Sequence, residues 1–139
     1  MKTQPISFRP SERLEERLHR LCAATGMKQS QLVEQLVDEA ERCRRYPGLA
    51  FRGRENDRRA WLVGSPFDVW EAVQAWQDLD EDDAATREQF NLNDRQLNLA
   101  KAYYREFTDE INSALTLTRR TSEELEKDYP FIEVIRIPE

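Results

Sequence analysis

Seven residues near the amino terminus constrain this chain more than any others. In Gln4-Pro5-Ile6-Ser7-Phe8-Arg9-Pro10, an extended backbone places Gln4, Ile6, Phe8 and Pro10 on one face and Pro5, Ser7 and Arg9 on the other. The first face can join a core. The second offers a hydroxyl and a guanidinium, the chemistry that reads base edges in a DNA groove. A lone strand of this length cannot satisfy its own backbone hydrogen bonds. The segment therefore predicts a second copy, with two strands paired antiparallel into a ribbon. The next thirty-five residues agree with this: Ser11 is placed to cap a helix whose apolar stripe is Leu14, Leu18, Leu21 and Cys22, and Gly26 ends it. A second helix carries Leu32, Val33, Leu36, Val37 and Ala40. Two helices with one stripe each make a thin core, so the segment is expected to be an obligate dimer.

Residues 4–44 resemble the ribbon-helix-helix DNA-binding proteins of the Arc/MetJ/CopG type. The likeness lies in Ile6-Ser7-Phe8-Arg9, in Leu14 and Leu18, and in Gly26-Met27-Lys28-Gln29-Ser30-Gln31-Leu32-Val33. It implies that Pro5, Ser7 and Arg9 enter the major groove. It also implies that the amides of Lys28, Gln29 and Ser30, opening the second helix, clamp a phosphate. Lys28 stands where that family usually has Ser or Thr, so the helix lacks a side-chain cap worth about 1 kcal/mol.

Composition bounds the remainder. A chain of 139 residues accommodates one domain or two small ones, and at 39% hydrophobic and 35% charged it has no apolar run able to span a bilayer. Met1-Lys2-Thr3-Gln4-Pro5 leads directly into patterned structure without a secretory leader, so a cytoplasmic location is expected. Cys22 and Cys43 lack metal-ligand spacing and read as reduced structural thiols.

The net charge of −6 is unevenly distributed. Residues 1–30 hold six Lys/Arg against three Glu, and residues 42–59 hold seven Arg against Glu55 and Asp57. Acid concentrates in Asp78, Asp80, Glu81, Asp82 and Asp83. A basic front with an acidic back suits a nucleic-acid face. The arginine-rich stretch is equally compatible with ordinary solvated helices.

Tyr46-Pro47-Gly48 marks a boundary. Leu49-Ala50-Phe51-Arg52 and Arg59-Ala60-Trp61-Leu62-Val63 read as short strands around the turn Gly53-Arg54-Glu55-Asn56-Asp57. Asp68 then caps a helix with Val69, Val73 and Trp76, and a short helix ends near Phe90-Asn91-Leu92. Asn93 caps a longer helix with Leu97, Ala100, Tyr103, Tyr104 and Phe107, and Thr108 is expected to cap another containing Ile111, Leu115 and Leu125. Trp61, Trp70 and Trp76 coincide with apolar periodicities and read as core. A hairpin, a short helix, a tight turn and a longer helix outline a helix-turn-helix with a small β-wing. Residues 45–112 resemble a small helix-turn-helix family found alone or fused to ribbon-helix-helix modules in VapB-type antitoxins. The likeness is carried by Tyr46-Pro47-Gly48-Leu49-Ala50-Phe51-Arg52, Arg58-Arg59-Ala60-Trp61-Leu62-Val63-Gly64, Asp68-Val69-Trp70-Glu71, Phe90-Asn91-Leu92-Asn93 and Ala102–Ile111. In a generic helix-turn-helix, the helix after Asn93 would expose Arg95, Gln96 and Lys101 to DNA. A domain that only packs and dimerises is the competing reading.

The segment Tyr129-Pro130-Phe131-Ile132-Glu133-Val134-Ile135-Arg136-Ile137-Pro138 is rich in β-branched residues and bounded by prolines, so it is expected to be a strand. It either completes the small sheet or adds to a partner's sheet. The antitoxin likeness implies the latter. It names the usual partner as a PIN-type ribonuclease with a carboxylate active site, and the contacts as Arg119, Arg120, Phe131, Ile132, Val134, Ile135 and Arg136.

Catalysis has little to work with. His19 is the only histidine, no Gly-rich phosphate loop exists among four glycines, and the acidic run lacks the glycine and final Glu of a calcium loop. No enzyme activity, metal or cofactor is expected. The expected fold is mainly α with short strands: a ribbon-helix-helix dimer over 1–45, a winged helix-turn-helix domain over 46–118, and a C-terminal strand within a toxin-binding or sheet-completing segment over 119–139. The expected function is that of an antitoxin. As a homodimer it would bind double-stranded operator DNA to autorepress, and it would neutralise the ribonuclease through its C-terminal half. A stand-alone regulator and a dimeric interaction module without DNA binding are the alternatives.

Overall fold

The hairpin predicted between residues 49 and 63 organises the molecule. In the computed structural model, which describes residues 3–119, 122–133 and 135, β1 (Leu49–Arg52) pairs antiparallel with β2 (Arg59–Leu62). The register sets Leu49 against Leu62 and Arg52 against Arg59. Entry to the hairpin depends on Gly48, whose φ of 102° suits only a residue without a Cβ. Its carbonyl accepts from the Val63 amide at 2.9 Å, and the Leu49 amide donates to Tyr46 at 2.9 Å.

The remaining described elements are helices. They are α1 (Glu12–Thr25), α2 (Gln29–Arg45), α3 (Val69–Asp78), α4 (Asp83–Phe90), α5 (Asp94–Glu106), α6 (Thr108–Thr118) and α7 (Ser122–Asp128). The core gathers Leu49, Ala60 and Leu62 from the hairpin, Val69, Ala72 and Val73 from α3, Ala100 and Tyr103 from α5, and Ile111 and Leu115 from α6. Helix ends match the sequence closely. Ser11 accepts from the Leu14 amide at 3.3 Å, Gly26 takes φ 73° at the end of α1, and Lys28 gives α2 no side-chain cap. Asn93 and Gln96 form a reciprocal capping box at 2.8 and 3.0 Å. The tryptophans are half-buried, and two are pinned by their indole N–H: Trp61 donates to Ser65 O at 2.7 Å and Trp76 to Asp83 at 2.8 Å.

A ribbon-helix-helix start is not what forms. Residues 3–11 make no strand and the first regular element is α1, so Ile6 stands 97% exposed and Phe8 60%. Within one chain this segment has no strand alongside to take its hydrogen bonds. The C-terminal strand is also corrected. Where a strand was expected, the described residues hold a turn after α7, closed by the Ile132 amide donating to Tyr129 O at 3.0 Å, with Pro130 inside it. The fold is helical with a single two-stranded sheet among the described residues, instead of a ribbon-helix-helix dimer with a winged helix-turn-helix and a terminal strand. One helix boundary differs for a local reason: Thr108 does not cap forwards, because its Oγ1 donates back to Tyr104 O at 2.7 Å.

Leu62 is fully buried where the hairpin meets α3 and α5, whereas Leu117 is largely exposed on α6. Leu62→Ala is expected to cost about 2–5 kcal/mol in urea unfolding. Leu117→Ala is expected to move the midpoint little.

Candidate nucleic-acid and partner-binding surfaces

Most of the arginine-rich stretch turns inward. Arg42 donates from Nη1 to the Tyr103 hydroxyl at 2.7 Å and to Glu110 at 2.9 Å, and pairs with Asp38 at 3.1 Å. Its guanidinium lies 3.9 Å from the centroid of the Phe107 ring. Arg45 bridges Glu41 and Glu106, and the Tyr46 hydroxyl donates to Glu106 as well. Arg58 grips Glu39 through two bonds of 2.8 and 3.1 Å. Arg52 and Arg59 each place Nε on one oxygen of buried Asp68, at 2.7 and 2.8 Å. Of the seven arginines between 42 and 59, only Arg44 and Arg54 have no ion pair among the described residues. The charge excess there holds the fold together more than it offers a face to nucleic acid.

These bonds form a polar seam. Gln35, Glu39 and Arg42 recur at helical spacing on α2, its C-cap Tyr46 continues the row, and Gln35 donates to Glu55 O at 2.9 Å. The seam fastens α2 to the hairpin and to α5 and α6. Its electrostatics come from this packing. Burial tends to lower the Arg42 pKa, but the bonds to Glu110 and Tyr103 outweigh it and raise it. Burial, then Glu110, pushes the Tyr103 phenol up. The Tyr46 and Arg45 hydrogen bonds hold Glu106 below the usual carboxylate range.

The residues expected to touch DNA remain uncovered. Pro5, Ser7, Arg9, Lys28, Gln29 and Ser30 are all exposed, and the Arg9 and Lys28 side chains have no partner among the described residues. The structure gathers Lys28, Gln29 and Ser30 at the start of α2, but it leaves Pro5, Ser7 and Arg9 on a segment without regular structure. On α5, two of the three residues expected to face outwards are otherwise engaged. Gln96 caps its own helix and donates to Val63 O at 3.2 Å. Lys101 pairs with Asp83 at 2.9 Å beside the Trp76 ring. Arg95 has no partner among the described residues, and the outward strip is Arg95, Asn98, Ala102 and Arg105, a spacing legible in the sequence but not singled out there.

At the other end, Arg119 lines a cleft of about 820 Å³ with Gln77, Asn112, Thr116 and Lys127. Phe131 is 83% exposed, and Ile132 and Ile135 are also open to solvent. Tyr129 was not among the expected contacts, yet it is exposed and meets Phe131 edge-on at 6.0 Å. The expected contacts Arg120, Val134 and Arg136 lie outside the described residues.

No described helix is long and apolar enough to cross a membrane. Comparison with protein-family models, with curated proteins and with solved structures gives no match.

The seam depends on ionised carboxylates, and Glu106 sets the sign of its pH dependence. A carboxylate whose folded pKa is depressed stabilises the fold at neutral pH, and that contribution fades as pH falls below about 4.3 through the folded value. Hydrogen exchange should therefore show the last turns of α2 losing protection on acidification before α3 and α5 do.

Proposed function

We propose that this chain is the antitoxin of a type II toxin–antitoxin pair. It binds operator DNA as a dimer through its amino-terminal region, which represses its own transcription. It neutralises a PIN-type ribonuclease through its C-terminal half. The observation that carries the reading is where uncovered chemistry sits. Unpaired Arg9 and Lys28 lie at the amino-terminal end, whereas among the described residues seven of the twelve cations beyond Arg42 are neutralised within the fold. Exposed Tyr129, Phe131, Ile132 and Ile135 lie at the other end. Phosphate contact needs free cations, and a protein partner needs desolvatable apolar groups.

A preformed ribbon is not required. The amino-terminal segment supplies Pro5, Ser7 and Arg9, the start of α2 supplies Lys28, Gln29 and Ser30, and no catalytic step is assigned to the chain. Under this reading the protein works in the cytoplasm beside its ribonuclease.

One observation favours an interaction module that does not bind DNA. Residues 60–139 carry 18 Asp/Glu against 8 Lys/Arg, so most of the chain repels phosphate.

Two measurements separate these readings. DNA from upstream of the gene, titrated with the full chain at several salt concentrations, should show sequence-dependent retention. Arg9→Ala should weaken it by about 1–3 kcal/mol. Retention that ignores DNA sequence, or that Arg9→Ala leaves unchanged, favours the interaction module. A chain ending at Asp128 should keep DNA binding and lose capture of the neighbouring ribonuclease.

A further inference from the structure

The sides of α2 are put to different uses. With about 100° between successive residues, Gln35, Glu39, Arg42 and Tyr46 share the side held by the polar seam. Leu32 and Leu36 lie between this side and the opposite one, and Leu32 is almost completely buried. Val33, Val37, Ala40 and Arg44 fall on the side roughly opposite the seam, about 160° away. Val33 is half-buried, but beyond it this side lies open: Val37 is 60% exposed, and Ala40 and Arg44 are exposed.

We propose that this outer side of α2 is the self-association surface, pairing with the same side of a second copy in an antiparallel, two-fold arrangement. The charges flanking the apolar patch identify the occupant. Glu34 and Arg44 are exposed and have no partner among the described residues, and they lie on either side of Val37 and Ala40. A two-fold axis passing beside Ala40, at the level of residue 39, sets Glu34 of each copy beside Arg44 of the other, with Val37 and Ala40 between them. An isologous contact satisfies both charges at once, whereas a parallel pairing would leave like charges facing. Ala40 at the centre lets the helix axes approach closely.

This gives a place to the dimer assumed in the functional reading, and it has a consequence for assembly. The seam holds the hairpin, α5 and α6 on the far side of α2, so pairing leaves those elements uncovered. Each dimer then offers two tails, and self-association does not compete with capture of a partner protein. One helix pair covers less than the roughly 800 Å² per partner of a standard interface, so dissociation is expected in the micromolar range.

Sedimentation velocity on the full chain across that range tests the pairing. Glu34→Arg and Arg44→Glu should each weaken association by about tenfold, because each reversal sets like charges together in two symmetric contacts. The double variant Glu34→Arg/Arg44→Glu restores opposite charges and should return association to near the parent value, which a merely misfolded variant would not do. Val37→Asp should leave a monomer, with hydrogen exchange in α3 and α5 unchanged. A parent chain that is monomeric throughout, a dimer indifferent to these changes, or a double variant no better than the singles would overturn the proposal. DNA retention and ribonuclease capture are read separately, so their loss with pairing intact counts against the functional reading alone.

Discussion

The guanidinium of Arg42 sits at the centre of the polar joint that fastens the first two helices to the rest of this fold. It is flanked by Phe107 and hydrogen-bonded to Tyr103 and Glu110, on two different helices, while pairing with Asp38 on its own. A charged group so enclosed is costly to leave unpaired, and its partners fix where α2 lies. The Arg45–Glu106 and Arg58–Glu39 pairs extend the same joint in both directions. A polar joint is more exacting than an apolar one, because its donors and acceptors must meet in one register. The first helices are thereby held in a defined orientation instead of trailing from a linker.

That joint changes the meaning of the charge pattern. A stretch with seven arginines looks like a polyanion-binding face on paper, yet five of them complete internal pairs. The cations left over at the amino-terminal end, and the aromatic and aliphatic groups left over at the other, are what support the proposal of two different partners. Between them lies a stretch whose net acidity repels nucleic acid.

Much of the local structure was legible. Ser11, Gly26 and Asn93 each act at the helix ends they were assigned, since capping is decided within a few residues. The hairpin from Leu49 to Leu62 was readable from its alternation and its polar turn. Two extended segments were misjudged for one reason: alternation in Gln4–Pro10 and β-branching in Tyr129–Ile135 describe what a strand would look like, but a strand exists only where an edge receives it. The seam was illegible because Gln35, Glu39 and Arg42 resemble any solvated helix face until their partners, up to 68 residues away, are known. On α5 the outward turn of Gln96 and Lys101 failed similarly, since a capping box and a neighbouring carboxylate drew them in.

The junction between α3 and α4 has a property of its own. Asp80 and Glu81, neither of them glycine, take consecutive left-handed conformations at φ 54° and 60°, each costing about 1–2 kcal/mol. The turn is closed by the Glu81 amide donating to Trp76 O at 2.8 Å, with exposed acid around it. Backbone held under tension and screened by few neighbours opens most cheaply. A protease meeting the folded body should therefore nick it at this bend first, before the helices on either side give way.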